Sequence, residues 1–363
     1  MITGQNSFHI DWRDWLRGMT TSDEVEDGGF SPQTTAINLL AQPGAINPPG
    51  AITDESDNLT DELIASAEDP QYLGDDAIAV DASGKFYTFT GTTLVVEATA
   101  STATYTVGTS NMVTFNGKWY VTTSAGSNGD ISEIGGPSLS MTLVEDWWSN
   151  ASHLNQSNLS NSTAWRPLLV WENAMWVGDG NNLRKIDSSE NVTTPLTLAS
   201  NENISALGID KATGKMLIAT TTGVDYSCQR NGDDKVLLYD GSSPKVDRVV
   251  RVNGTVIAFH NLSSQTMCVY DNRLGVWTGR GIKFLRQLNM SLTGADLAYP
   301  HKVTSNNDTL YIADGNQILA YGDVIGGQDP IFYYALQTST LADITMLCNV
   351  GSDKLGYSHT TRS

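Results

Sequence analysis

The sequence predicts an all-β protein, an irregular six- or seven-bladed β-propeller preceded by an extended N-terminal arm. Three observations carry this. Met175-Trp-Val-Gly-Asp-Gly-Asn-Asn-Leu183 and Leu310-Tyr-Ile-Ala-Asp-Gly-Asn-Gln-Ile318 repeat one strand–turn–strand sentence. Asp-Gly is a favoured centre of tight hairpin turns, because its residues tolerate the positive φ that suits twisted strand pairs. Related strand–turn–strand units recur from about residue 75 onward, spaced irregularly around the ~40–50 residues of a propeller blade.

The elements follow in chain order. Ile10 to Met19 sets Trp12, Trp15, Leu16 and Met19 at helical i, i+3, i+4, i+7 spacing, with Asp11, Arg13, Asp14 and Arg17 on the rest of the turn. This predicts a short amphipathic helix ending near Gly18. An acidic link, Ser22 to Gly29, and a run punctuated by Pro43, Pro48 and Pro49 favour extended, irregular backbone. A second helix is expected from a Thr60 cap through Asp61-Glu-Leu-Ile-Ala-Ser-Ala67, with its acids near the N-terminus. The arm is therefore assigned to residues 1–74 and the propeller to residues 75–363.

Within the propeller, Ala79 to Phe89 and Leu207 to Ala219 each read as a strand, a Gly-containing turn and a second strand. Radial repetition of such units leaves only short, protected sheet edges. A pair of β-sandwiches or a β-helix is the alternative, and the β-helix fits worse because its repeats are shorter and more uniform. Between the second and third units, Trp147 to Thr163 is rich in Asn and Ser and lacks a strand period. It reads as a long surface loop available for contact, with Trp147, Trp148, Asn150 and Asn155 as its candidate residues. Its Asn-x-Ser/Thr triplets are read as composition, since Met1 to Phe8 has neither the basic nor the apolar region of a secretory signal.

The formal net charge of −19 is uneven, with 17 acids against three bases in the first 100 residues. Duplex binding needs clustered Lys and Arg to displace counterions, so direct nucleic-acid binding is not expected. The apolar runs are too short to cross a bilayer as helices, so no membrane partner is expected. Cys228, Cys268 and Cys348 are far apart and show no zinc spacing. They are expected to be inert buried thiols, although an odd count could hide one disulfide.

Catalytic signatures are thin. The sequence has no Gly-x-Ser-x-Gly elbow, His-Glu-x-x-His, phosphate-binding Gly loop or dinucleotide fingerprint. Its five histidines are scattered with no pair at metal-ligand spacing, and His260, after Val256 to Phe259, is read as a structural or surface histidine in preference to one facing a propeller channel. Asp54 to Glu62 fails the EF-hand pattern, because Leu59 stands where the turn glycine belongs and Ala65 where the last acid belongs. The Asp179 and Asp314 turns are accounted for by their hairpins. No catalytic residue, metal or cofactor is therefore assigned. The stronger candidate is the N-terminal helix, because two tryptophans at about 150–250 Å² each are costly to leave in water. It is expected either to pack on its own domain or to act as an arm, tethered by the Gly/Pro-rich segment to about residue 50, that docks on a neighbouring subunit.

The segment Gly28-Gly-Phe-Ser-Pro32 to Ala36-Ile-Asn-Leu-Leu-Ala-Gln-Pro-Gly44, followed by irregular blades, resembles the propeller-bearing structural proteins of tailed bacteriophage virions, such as tail nozzle and other tail-associated proteins. The resemblance implies a non-enzymatic virion protein assembled in the host cytoplasm, whose partners are copies of itself and other virion proteins. Two other classes are weighed against it. A carbohydrate- or receptor-binding propeller that recognises host surface glycans would present aromatics on equivalent loops. A propeller hydrolase or lyase would converge acids or histidines on the channel.

Overall fold

The computed structural model describes residues 40–42, 45–47, 61, 63–67, 77–90, 93–106, 110–123, 129–136, 141–160, 166–222, 234–242, 246–288, 302–306, 308–314, 317–322, 330–337, 344–350 and 354–359. Strands β1 (Leu40–Gln42) and β2 (Ala45–Asn47) pair as a small hairpin. Six antiparallel four-stranded blades follow, each laid down in chain order. Blade 1 holds β3 (Leu63–Ala67), β4 (Ala77–Asp81), β5 (Lys85–Thr90) and β6 (Thr93–Thr99). Blade 2 holds β7 (Met112–Phe115), β8 (Lys118–Thr122), β9 (Ile131–Gly135) and β10 (Thr142–Val144). Blade 3 holds β11 (Leu168–Trp171), β12 (Ala174–Asp179), β13 (Asn182–Asp187) and β14 (Val192–Thr197). Blade 4 holds β15 (Glu202–Ile209), β16 (Met216–Thr222), β17 (Lys235–Tyr239) and β18 (Val246–Arg251). Blade 5 holds β19 (Val256–Asn261), β20 (Thr266–Tyr270), β21 (Arg273–Trp277) and β22 (Ile282–Gln287). Blade 6 holds β23 (Val303–Asn306), β24 (Thr309–Asp314), β25 (Gln317–Gly322) and β26 (Ile331–Gln337).

A two-stranded sheet of β27 (Ile344–Val350) and β28 (Lys354–His359) stands between blades 6 and 1 and closes the ring. The first strand of each sheet lies innermost, and successive first strands touch around the ring from β3 through β27 and back to β3. The sequence expectation of six or seven units is thus met by six full blades and a two-stranded closing sheet.

Packing explains the strand patterns. Neighbouring blades meet face to face, so strands near the axis are buried on both sides and read as continuous apolar runs. β12 is buried along its whole length, whereas the outer β14 keeps only Leu196 inside. Each interface has its own apolar cluster. Ile78, Phe86, Trp119 and Ile134 join blades 1 and 2. Trp176, Leu183, Met216 and Tyr239 join blades 3 and 4. Leu63, Tyr87, Met346 and Cys348 seal the closing sheet onto blade 1. The outer edges are protected against strand addition by Pro195 in β14 and by charged residues in β18 and β22.

Two sequence expectations change here. Residues 63–67 form the innermost strand of blade 1, paired with β4, and not a helix. Leu63, Ile64 and Ala65 are fully buried, and burial with sheet pairing outweighs the helix propensity of so short a segment. The propeller therefore begins at Leu63, ahead of residue 75. The Asp-Gly-Asn hairpins form as expected but are centred one residue later. Asp179 pairs with Asn182 and Asp314 with Gln317, so the first loop is Gly180-Asn181, with φ 58° at Gly180.

Candidate functional site

The inner strands enclose one side of the channel around a cavity of about 340 Å³. Ser66 and Ala67 come from β3, Met112, Val113 and Thr114 from β7, and Val170 from β11; Thr304 comes from β23, Cys348 and Asn349 from β27. The wall is thus built of neutral side chains. Asn349 donates from Nδ2 to the Ser305 carbonyl at 2.6 Å, while its buried Oδ1 has no hydrogen-bond partner among the described residues. What the cavity presents is a carbonyl acceptor, hydroxyls and a buried thiol. That set can hydrogen-bond a small neutral group, and no titrating acid–base pair stands among the described lining residues.

The Trp147 loop is placed differently from expectation. Trp147 and Trp148 are each only 1% exposed and plug the seam between blades 2 and 3. Trp147 packs on the Tyr120 ring at 4.6 Å between centroids. Trp148 donates from Nε1 to the Ser157 carbonyl at 2.7 Å, and its backbone N–H reaches Asp130 Oδ1 at 3.1 Å. Burial pushes the Asp130 carboxyl above its ordinary pKa, against the hydrogen bonds from Ser149, Ile131 and Trp148. Only the polar part of the loop faces solvent. Asn155 is exposed at φ 50°, and half-buried Asn150 donates to Asp146 and accepts from the Ser152 N–H. The Asn/Ser composition disguised a loop anchored by its two tryptophans.

Trp12, Trp15, Leu16 and Met19 lie outside the described residues. Cys268 and Cys348 are both buried. Of the histidines, His153 is exposed on the loop and His260 is half-buried in β19, so these two are not brought together. No cluster of three His, Cys, Asp or Glu stands in metal-binding geometry among the described residues. Trp171, Trp176 and Trp277 are all core residues, which removes them from any aromatic platform for sugars.

Sequence reasoning missed two features. Glu145, just after β10, is held by the end of blade 1. Its carboxylate accepts the backbone N–H groups of Ser101, Thr102 and Ala103 at 2.6, 2.7 and 2.5 Å and the hydroxyls of Ser101 and Thr102 at 2.7 and 2.9 Å. Partial burial raises its pKa, but these donors outweigh it and hold the carboxyl down at about 2. The second feature is the rim of blades 4 and 5. Among the described residues, Val96, Val249 and Phe284 are the large apolar side chains left exposed, all on outermost strands. Val249 and Phe284 sit among exposed Arg248, Arg251 and Lys283. The basic bias was visible in the sequence, but the acidity of the whole chain masked it.

The backbone resembles known propellers. A streptogramin B lyase structure is 11% identical with a TM-score of 0.56, over 83% of this chain and 92% of that one. Virginiamycin B lyase from Staphylococcus aureus is 10% identical with a TM-score of 0.53, over 84% and 97%. At such identity the likeness is one of fold. No family model matches the sequence, and no curated protein matches it.

Proposed function

We propose that this chain is a non-enzymatic structural protein of a viral particle, assembling through its N-terminal arm and propeller surfaces in the manner of a tail component. The observation that carries the reading is the distribution of apolar surface. Trp119, Trp147, Trp148 and Trp176 are spent on the core, the described cavity wall is neutral, and Val249 and Phe284 are left in water on outermost strands, a surface that a neighbouring subunit would cover. The Trp12, Trp15, Leu16 and Met19 stripe read from the sequence would supply a second surface, since its two tryptophans are costly to leave in water.

The test is the solution mass of full-length protein across a concentration series, beside Trp12→Ala/Trp15→Ala protein. The expected result is a discrete multimer, seen as rings or tubes by electron microscopy, that dissociates when the two tryptophans are removed. A monomer at every concentration in both proteins would overturn self-assembly.

A further inference from the structure

We infer that the cationic outer face of blades 4 and 5 docks the acidic N-terminal segment, residues 11–27, of a second copy of this chain. The inference deepens the assembly reading above and rests on it.

β18 presents exposed Arg248, Val249 and Arg251, and β22 presents exposed Lys283 and Phe284, with Arg280 exposed on the turn before it. These surfaces adjoin. Arg248 Nη1 donates to the Gly279 carbonyl at 2.8 Å, and Val250, Trp277 and Ile282 share one apolar cluster beneath. Residues 246–287 contain six bases and two acids; Arg273 pairs with Asp271 and Arg286 with Asp314, and exposed Arg248, Arg251, Arg280 and Lys283 stand on the face. Asp247 pairs with Lys215, while Asp271 pairs with Arg273 at 2.9 Å and accepts the Thr255 N–H at 3.1 Å. The face is therefore net positive in a chain of net charge −19.

The complementary charge lies at the other end of the sequence. Residues 1–62 hold eleven acids against two bases. Residues 11–27 hold six acids against two bases: Asp11 and Asp14 stand among Trp12, Trp15, Arg13 and Arg17, and Asp23, Glu24, Glu26 and Asp27 follow without a base. That combination matches the rim in two respects. Acids meet Arg and Lys, and indole rings meet exposed Phe284 and Val249, with guanidinium groups able to stack on the rings.

The donor is a second copy on the assembly reading above, since the 35 residues between Asp27 and Leu63 can span up to about 120 Å and so reach this face on a neighbouring subunit as well as on their own. Restoration of mixed complexes by the two reversed proteins is expected only of a second-copy donor.

The experiment uses full-length protein and light scattering at two salt concentrations. One variant carries Arg280→Glu and Lys283→Glu, a second carries Phe284→Ser, and a third reverses the arm with Asp23→Lys, Glu24→Lys, Glu26→Lys and Asp27→Lys. Each is expected to weaken association at least tenfold at unchanged melting temperature, and wild-type association is expected to weaken as salt rises. Mixing the patch-reversed and arm-reversed proteins is expected to restore mixed complexes. A multimer untouched by all three variants would leave assembly standing and overturn this docking. A monomeric wild type would overturn both. A patch variant that loses heparin binding while its mass is unchanged would also overturn the proposal, assigning the face to an external polyanion.

Discussion

Replacing Glu145 by Gln tests whether the blade 1–blade 2 latch acts through charge. The carboxylate gathers three backbone N–H groups and two hydroxyls from Ser101 to Ala103, all within 2.9 Å. The amide keeps the shape but loses the charge and one acceptor oxygen. A carboxyl held at about 2 instead of 4.5 would correspond to roughly 3 kcal/mol if it were buried. Solvent reaches this group and its donors, so roughly 1 kcal/mol is the expected effect.

The sign follows from linkage. The folded state lowers this pKa, so the stabilisation is fully present above the unfolded value of 4.5 and is lost as pH falls towards 2. Urea midpoints of wild type and Glu145→Gln are expected to differ at pH 7 by roughly 1 kcal/mol, and the gap is expected to close progressively below pH 4.5. A gap that stays constant down to pH 2 would refute the charge argument, leaving geometry alone as the source of the latch.

Two further outcomes are expected. A Cβ at Gly208 in β15 would lie 2.4 Å from the Phe259 Cβ in β19, so Gly208→Ala should cost about 1–3 kcal/mol by overpacking the blade 4–blade 5 seam. Denaturant midpoints would show it, and an unchanged midpoint would mean that the inner strands yield freely. Burial raises the Cys268 thiol well above its ordinary pKa, so peptide mapping after iodoacetamide at pH 8 should find Cys268 unmodified in folded protein and modified in urea.

The hairpins were the legible part of the fold, since their signals are local. Ala79 to Phe89 announces β4 and β5 through alternation around Gly84, which takes φ 85° in the turn. Residues 63–67 were illegible for the opposite reason. Leu-Ile-Ala-Ser-Ala carries no period of its own, and its strand state depends on β4 and on the closing sheet packed against Leu63. The Trp147 loop shows the same dependence on distant partners, because Tyr120 and Asp130 hold its tryptophans inside.

The candidate sites divide along the same line. Catalytic motifs would have been short and local, and their absence from the sequence directed attention away from the channel, where Asn349 and Thr304 come together only through the fold. The rim of blades 4 and 5 depends on topology. Arg248 and Lys283 lie far apart in sequence, and the Arg248–Gly279 bond with the shared Trp277 cluster brings β18 to the turn before β22. Averaged over the chain, that cationic face disappears into a charge of −19. Resolved by strand, it emerges on β18 and β22 as exposed Arg248, Arg251 and Lys283, a surface complementary in charge to the acidic N-terminal sequence.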